Sequence, residues 1–270
     1  MFLIANNITT RDSTVNQIFR QAKAGSWTDN EQAVTRLQDL TQQCADAEAN
    51  ALEINIQQYH DLPEAMDFAV KTVQQATDLR LCLSTNNAET LEAGLKVCQR
   101  APIANYVSID ETRLRKMLPM IANHGAGVVF LVSDPSSPTD AREMLQKAAI
   151  LVGAAREVGI PNDDIFIDPG IIHVTSDIGQ RHLVEIIEFL RSLPDAIEAE
   201  VKSTCWLSNS SVGAPQKNRS VIESALLPML AGAGLASVFL DVLRRDNRQG
   251  ARLIKIFRNE VIYSDNELEL

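Results

Sequence analysis

The sequence predicts a single (β/α)8 barrel spanning residues 1–270, on three observations. Short apolar runs alternate with amphipathic segments eight times between Phe2 and about Tyr263, as in a parallel sheet wrapped by helices. No Pro/Gly/Ser-rich linker or break in composition interrupts them. The first turn, Asn6-Asn7-Ile8-Thr9-Thr10-Arg11-Asp12-Ser13, lacks the glycines that a doubly wound nucleotide-binding sheet needs there.

The elements follow in order. Phe2–Ala5 reads as the first strand, followed by helices over Asp12–Ala24 and Asn30–Asn50, the second with Ala33, Leu37, Leu40 and Ala47 near helical spacing. Ala51–Ile56 is the second strand, and Pro63–Ala76 a helix with Pro at its first turn. Leu79–Leu83 is strand three, Ala88–Cys98 its helix, and Pro102–Tyr106 strand four. The next helix starts at Asp110, where two acids suit the positive end of its dipole. Gly127–Val132 is strand five, before a helix from about Thr139 to Val158. Asp164–Ile167 and Asp177–Ser192 form the sixth pair, Lys202–Leu207 and Arg219–Ala231 the seventh, Ala236–Leu240 and Arg248–Phe257 the eighth.

Composition narrows the function. Hydrophobic residues make up 45% of the 270, enough for a large core, and aromatics only 5%, which suits helices on a parallel sheet. A net charge of −10 without a basic stripe argues against nucleic acid and anionic membranes as partners. Cys44, Cys82, Cys98 and Cys205 are scattered, and Cys82 and Cys205 read as reduced core thiols. There is no basic start of a signal peptide and no apolar run near membrane-spanning length, so a cytoplasmic protein is expected. His60, His124, His173 and His182 lack metal-ligand spacing. No GxSxG elbow or Walker A lysine is present.

In a barrel the C-terminal strand ends converge on one pocket. Here they carry Asn6 and Asn7, Glu53 and Asn55, Ser84 to Asn87, Asn105, Ser133 and Asp134, Asp168, Ser208 and Asn209, and Asp241. A single Asn after a strand is ordinarily a turn former. Asn repeated around a ring makes a cup of neutral groups that donate and accept at once, suited to a flat polar heterocycle. Asp168, between an apolar strand and Pro169, is placed either to accept paired N–H groups or to form a turn. Asp241 is expected to pair with nearby Arg244 or Arg245, and Glu185 and Glu188 to be solvated.

The segments Leu81–Leu83 through Leu91-Glu92-Ala93-Gly94-Leu95-Lys96, Ile165–Pro169, and Leu207-Ser208-Asn209 with Gln216 to Arg219 resemble the pterin-binding barrels. Within these, the chain is most similar to the methyltetrahydrofolate:corrinoid/iron–sulfur protein methyltransferases, over nearly its whole length. The resemblance implies an enzyme, commonly a homodimer, that moves the methyl group of methyltetrahydrofolate to the cob(I)amide of a separate corrinoid protein, which supplies the cobalamin. It implies that Asn209 acts on the methyl-bearing pterin nitrogen and that Asn105 and Asp168 hold the pterin edge. Ser208, Ser84, Asn86, Asn7 and Asn55 complete the candidate substrate-binding set. Three positions depart from the family pattern: Ser84-Thr85-Asn86-Asn87 lacks an Asp, Trp206 replaces a Gly, and Glu53 replaces an Asp. The alternatives are a diverged, non-catalytic barrel that binds a pterin or a corrinoid protein, and a dihydropteroate synthase. The second needs cations against a departing pyrophosphate, and strands seven and eight end without them.

Overall fold

The computed structural model describes residues 1–27, 30–108, 110–133, 139–198 and 200–268, without the side chains at 106, 108, 111–113 and 266–267. Asp134, one of the strand-end residues, lies outside the described residues. The strands are β1 (Phe2–Thr9), β2 (Ala51–Asn55), β3 (Arg80–Ser84), β4 (Ile103–Ser108), β5 (Gly127–Leu131), β6 (Ile165–Asp168), β7 (Lys202–Ser203) and β8 (Ser237–Leu240). The helices are α1 (Ser13–Ala24), α2 (Glu31–Asp46), α3 (Pro63–Gln74), α4 (Ala88–Val97), α5 (Glu111–Asn123), α6 (Ala141–Glu157), α7 (Asp177–Ala196), α8 (Gln216–Ala233) and α9 (Arg245–Phe257).

The strands run parallel in chain order, with β8 beside β1. The seam between β7 and β8 closes through the Phe239 N–H donating to the Cys205 carbonyl (2.8 Å), a parallel bridge between Trp206 and Phe239, and the Ser237 hydroxyl on the Ser203 carbonyl (3.0 Å). The result is one (β/α)8 barrel, as expected. Strand alternation divides the apolar residues in two. Leu52, Ile54, Leu81, Leu83, Ile165 and Ile167 point outward into the core under the helices, while Ile4, Ala51, Cys82, Ile103, Phe166 and Phe239 form a separate cluster in the lumen. Both faces are buried, which is why these strands read as continuous apolar runs. Among the described residues, no helix is long and apolar enough to cross a membrane.

Two strands differ from expectation in ways that aim the site. β1 extends beyond Ala5 to Thr9, and its pairing with β2 slips between Ala5 and Ile8. Three steps on β1 match two on β2, so one residue is extra and the side-chain alternation shifts. β7 ends its ladder at Ser203 instead of Leu207, and Leu207–Ser211 coils into a 3-10 turn. Several strand-end polar residues cap helices: Asn87 accepts from the Thr90 N–H at 3.0 Å, and Asp12 from the Thr14 N–H at 2.8 Å.

At the start of α7, Gly179 lies against the loop that follows β6. A Cβ there would stand 2.0 Å from the His173 carbonyl oxygen. Gly179→Ala is expected to cost about 1–3 kcal/mol, read as a lower urea midpoint with an unchanged slope.

Candidate functional site

A cavity of about 270 Å³ opens at the C-terminal ends of the strands, where barrels of this kind place their chemistry. Of the residues predicted from sequence, Asn55, Asn105, Asp168, Ser208 and Asn209 line it. Ser84 is buried and hydrogen-bonds Asn105 and Glu53. Asn86 is exposed and does not line the cavity.

Asn7 is also turned away. Its Nδ2 donates to Asp241 Oδ1 (2.5 Å) and its Oδ1 accepts the Val242 N–H (3.2 Å), tying β1 to the loop after β8. Alternation from Ile4 puts Asn6 on the lumen side, and the extra residue that follows brings Thr9 there while Ile8 faces the outer core. Asp241 is therefore held by Asn7 and by the Leu243 N–H (3.0 Å), whereas Arg244 pairs with Glu223 (2.5 Å). That corrects the expected local ion pair of Asp241. Glu185 is likewise not simply solvated: it is half-buried and accepts the Ala141 N–H at the start of α6 (3.0 Å).

Asp168 closes β6 and is buried. Pro169 and the left-handed Gly170 (φ 73°) fold the chain back so that the Gly170 N–H donates to Asp168 Oδ1 at 2.8 Å. Gly170 admits no side chain, since a Cβ would meet Ser133 Oγ at 2.1 Å. The Gly170 carbonyl accepts from buried His182 Nε2 (3.1 Å), which places the ring proton on that nitrogen. Burial pushes the Asp168 carboxyl up to about 7, against the opposing effect of the Gly170 N–H. Among the described residues the Gly170 N–H is its one donor, which leaves the carboxyl able to accept more.

Glu53 is the centre of a buried network. Its Oε1 accepts from Ser84 Oγ (2.6 Å) and Asn55 Nδ2 (3.1 Å), and its Oε2 from the Trp206 indole N–H (3.3 Å). Asn105 Nδ2 in turn donates to Ser84 Oγ (2.7 Å). Burial raises the Glu53 carboxyl above its ordinary range, opposed by hydrogen bonds from Ser84, Trp206 and Asn55. The sequence marks Glu53 as a strand end and as a departure from the family pattern, without assigning it a role. The alternation Ala51, Glu53, Asn55 on one face of β2 was the available signal.

The 3-10 turn after β7 carries Ser208, which is exposed, and Asn209, which is half-buried at the cavity wall. The Asn209 side chain makes no hydrogen bond among the described residues. The turn is fastened from behind. Ser211 Oγ donates to buried Glu223 Oε1 (2.6 Å) on α8, whose Oε2 accepts from Arg244. Glu223→Gln keeps the Ser211 contact and removes the charge facing Arg244. We expect it to lower stability by about 1–2 kcal/mol, measured by urea unfolding beside the methyl-transfer rate.

Among the described lining residues, Arg11 is the one cation, and its Nε donates to Gln57 Oε1. The rest of the polar wall is amides, hydroxyls, Glu53 and Asp168. This arrangement can hold a neutral ring by donors and acceptors and offers little to neutralise a multiply charged leaving group.

Over 187 residues the chain is 23% identical to the methylcorrinoid:tetrahydrofolate methyltransferase of Eubacterium limosum, covering 68% of this chain and 67% of that protein. Over 176 residues it is 27% identical to the methionine synthase of Mycobacterium tuberculosis, covering 61% of this chain and only 14% of that protein. Among solved structures, it superposes on dihydropteroate synthase from Yersinia pestis with a TM-score of 0.68 at 15% identity, over 96% of this chain and 94% of that one. The synthase from Clostridium difficile gives 0.67 at 15% identity, over 95% and 96%. At such identity these structures speak for the fold alone. The family model described as pterin binding enzyme matches residues 22–241, and the chain belongs to that family.

Proposed function

We propose that this protein transfers a methyl group between methyltetrahydrofolate and a corrinoid carried by a separate protein that docks over the open mouth of the barrel. The observation that carries this reading is the Asn209 amide, held on a fastened turn at the cavity wall and committed to no partner in the described structure. A tertiary amine is a poor leaving group. As the methyl departs, the electron pair of the N–C bond stays on the pterin nitrogen, which gains basicity and takes up a proton. A hydrogen bond donated to that nitrogen strengthens along this path and lowers the barrier. Asp168 accepts the paired N–H groups of the pyrimidine edge, with Asn105 beside it. The corrinoid, when its carrier is docked, supplies the low-valent cobalt that receives the methyl. The same site serves transfer in either direction.

The scarcity of cations at the cavity favours this reading over displacement of pyrophosphate. The test is an anaerobic absorbance assay with methyltetrahydrofolate and cob(I)alamin. Loss of the cob(I)alamin spectrum with gain of methylcobalamin is expected. Saturable methyltetrahydrofolate binding with an unchanged cobalt spectrum would select the non-catalytic binding barrel.

A further inference from the structure

The turn that holds Asp168 is itself held from α7. The Gly170 N–H donates to Asp168 Oδ1 (2.8 Å), and on the other side of the same residue the Gly170 carbonyl accepts from His182 Nε2 (3.1 Å). Gly170 and Asp168 both line the cavity. Ser133 Oγ also approaches that carbonyl, but at 3.4 Å, too long to hold it firmly. His182 is 2% exposed, and its Nδ1 has no hydrogen-bond partner. A buried polar atom without a partner is a cost that an apolar side chain of similar size would not carry. Among the described residues, the one hydrogen bond of this imidazole goes to the turn beside Asp168. Gly179 and His182 lie three residues apart on one face of α7. Gly179 is where the helix presses on the loop after β6, with room for no Cβ, so that contact brings the imidazole to the turn.

We infer that His182 is a positioning residue: its Nε2–H pins the Gly170 carbonyl, which keeps the Gly170 N–H on one Asp168 oxygen and fixes the carboxyl edge that meets the ligand. This rests on the pterin reading proposed above and adds to it the residue that aims its acidic ligand. A carboxyl oriented before the ligand arrives loses less freedom on binding. At Asp168 burial raises the carboxyl and the Gly170 N–H opposes it. Cys205 nearby is kept a neutral thiol by burial and by Asp168 itself. Loosening Gly170 therefore leaves burial less opposed.

The test compares His182→Leu and His182→Met, which lack the donor, with His182→Gln. The amide Nε2 of Gln stands the same number of bonds from Cβ as the imidazole Nε2 and keeps the donor. In the ligand-free protein the Asp168 carboxyl is titrated by carboxyl-carbon NMR, its signal identified with Asp168→Asn. The midpoint is about 7 in the unmutated protein. It is expected to move up to roughly 7.5–8 in the donorless variants and to stay in place with Gln. Calorimetric affinity for methyltetrahydrofolate at pH 8, without any corrinoid, is expected to fall roughly three- to tenfold in the donorless variants and to stay within about twofold with Gln. Thermal melting is recorded for all three. A merely structural histidine lowers the melting temperature and moves neither the midpoint nor the affinity of the folded protein. That result overturns the positioning role, as does a Gln variant that behaves like the donorless pair. No binding of methyltetrahydrofolate by the unmutated protein overturns the pterin reading, whereas the midpoint, read without ligand, still decides for or against His182.

Discussion

Replacing Asn209 by Ala is expected to slow methyl transfer by roughly ten- to a thousandfold, the range for a lost catalytic hydrogen-bond donor. The affinity for methyltetrahydrofolate should change much less. The amide meets a weakly basic nitrogen in the bound substrate and a strongly basic one as the methyl leaves, and an interaction that grows toward the transition state acts on turnover. The structural alternative is that Asn209 merely supports its turn. It has little to stand on, because no Asn209 side-chain bond holds the turn, and Ser211 fastens it to Glu223 instead. A supporting role predicts a lower melting temperature and a normal single-turnover rate in the folded fraction. Measuring both on the same variant separates the two, and an unchanged rate rejects the proposed role.

Methyltetrahydrofolate affinity is expected to rise with pH up to about 7 and then level off. Burial lifts the Asp168 carboxyl from 3.8 to about 7, so below neutrality the empty site holds it protonated. A paired N–H edge needs the carboxylate. Binding therefore expels a proton, and the dissociation constant should fall by roughly tenfold per pH unit between about 5 and 7. The stability of the empty protein moves the opposite way. Because the folded value lies above the unfolded one, the folded chain keeps a proton between about pH 4 and 7 that the unfolded chain has lost. The stability this contributes is complete below about 4 and lost as pH rises through 7. Asp168→Asn should flatten both profiles. Asp168→Ala should weaken binding at pH 8 by roughly 1.5–3 kcal/mol. A pH-independent dissociation constant in the unmutated protein removes Asp168 from the pterin edge.

The barrel was readable because its strands are buried on both faces and its helices carry apolar stripes, so each leaves its own period. The strand ends were readable as a group, since Asn, Ser and Asp follow apolar runs so often. Which of them faces the cavity was not. Asn6 and Asn7 face opposite sides of β1, but Phe2–Ala5 is apolar on both faces, so the sequence does not mark which face is the lumen's. Asn86 and Asn87 sit past the end of β3, where alternation no longer applies, and one is solvated while the other caps α4. Glu53 and Trp206 were visible as departures from a pattern. Their partnership was not, because 153 residues separate them and only closure of the barrel brings them together.

The packed lumen beneath the cavity also sets an order of events. Phe239, Phe166 and Ile4 pack the lumen below Trp206, and among the described residues the cavity lies at the strand ends above them. A small molecule reaches this cavity through the mouth formed by the strand ends. In the proposed reaction the carrier protein must cover that same opening for the methyl group to reach cobalt, so both traffics share one door. The pterin has to be seated before the carrier arrives, and its demethylated form stays inside until the carrier departs. Initial-rate kinetics should then show a compulsory order, with excess carrier protein trapping the folate product and inhibiting turnover.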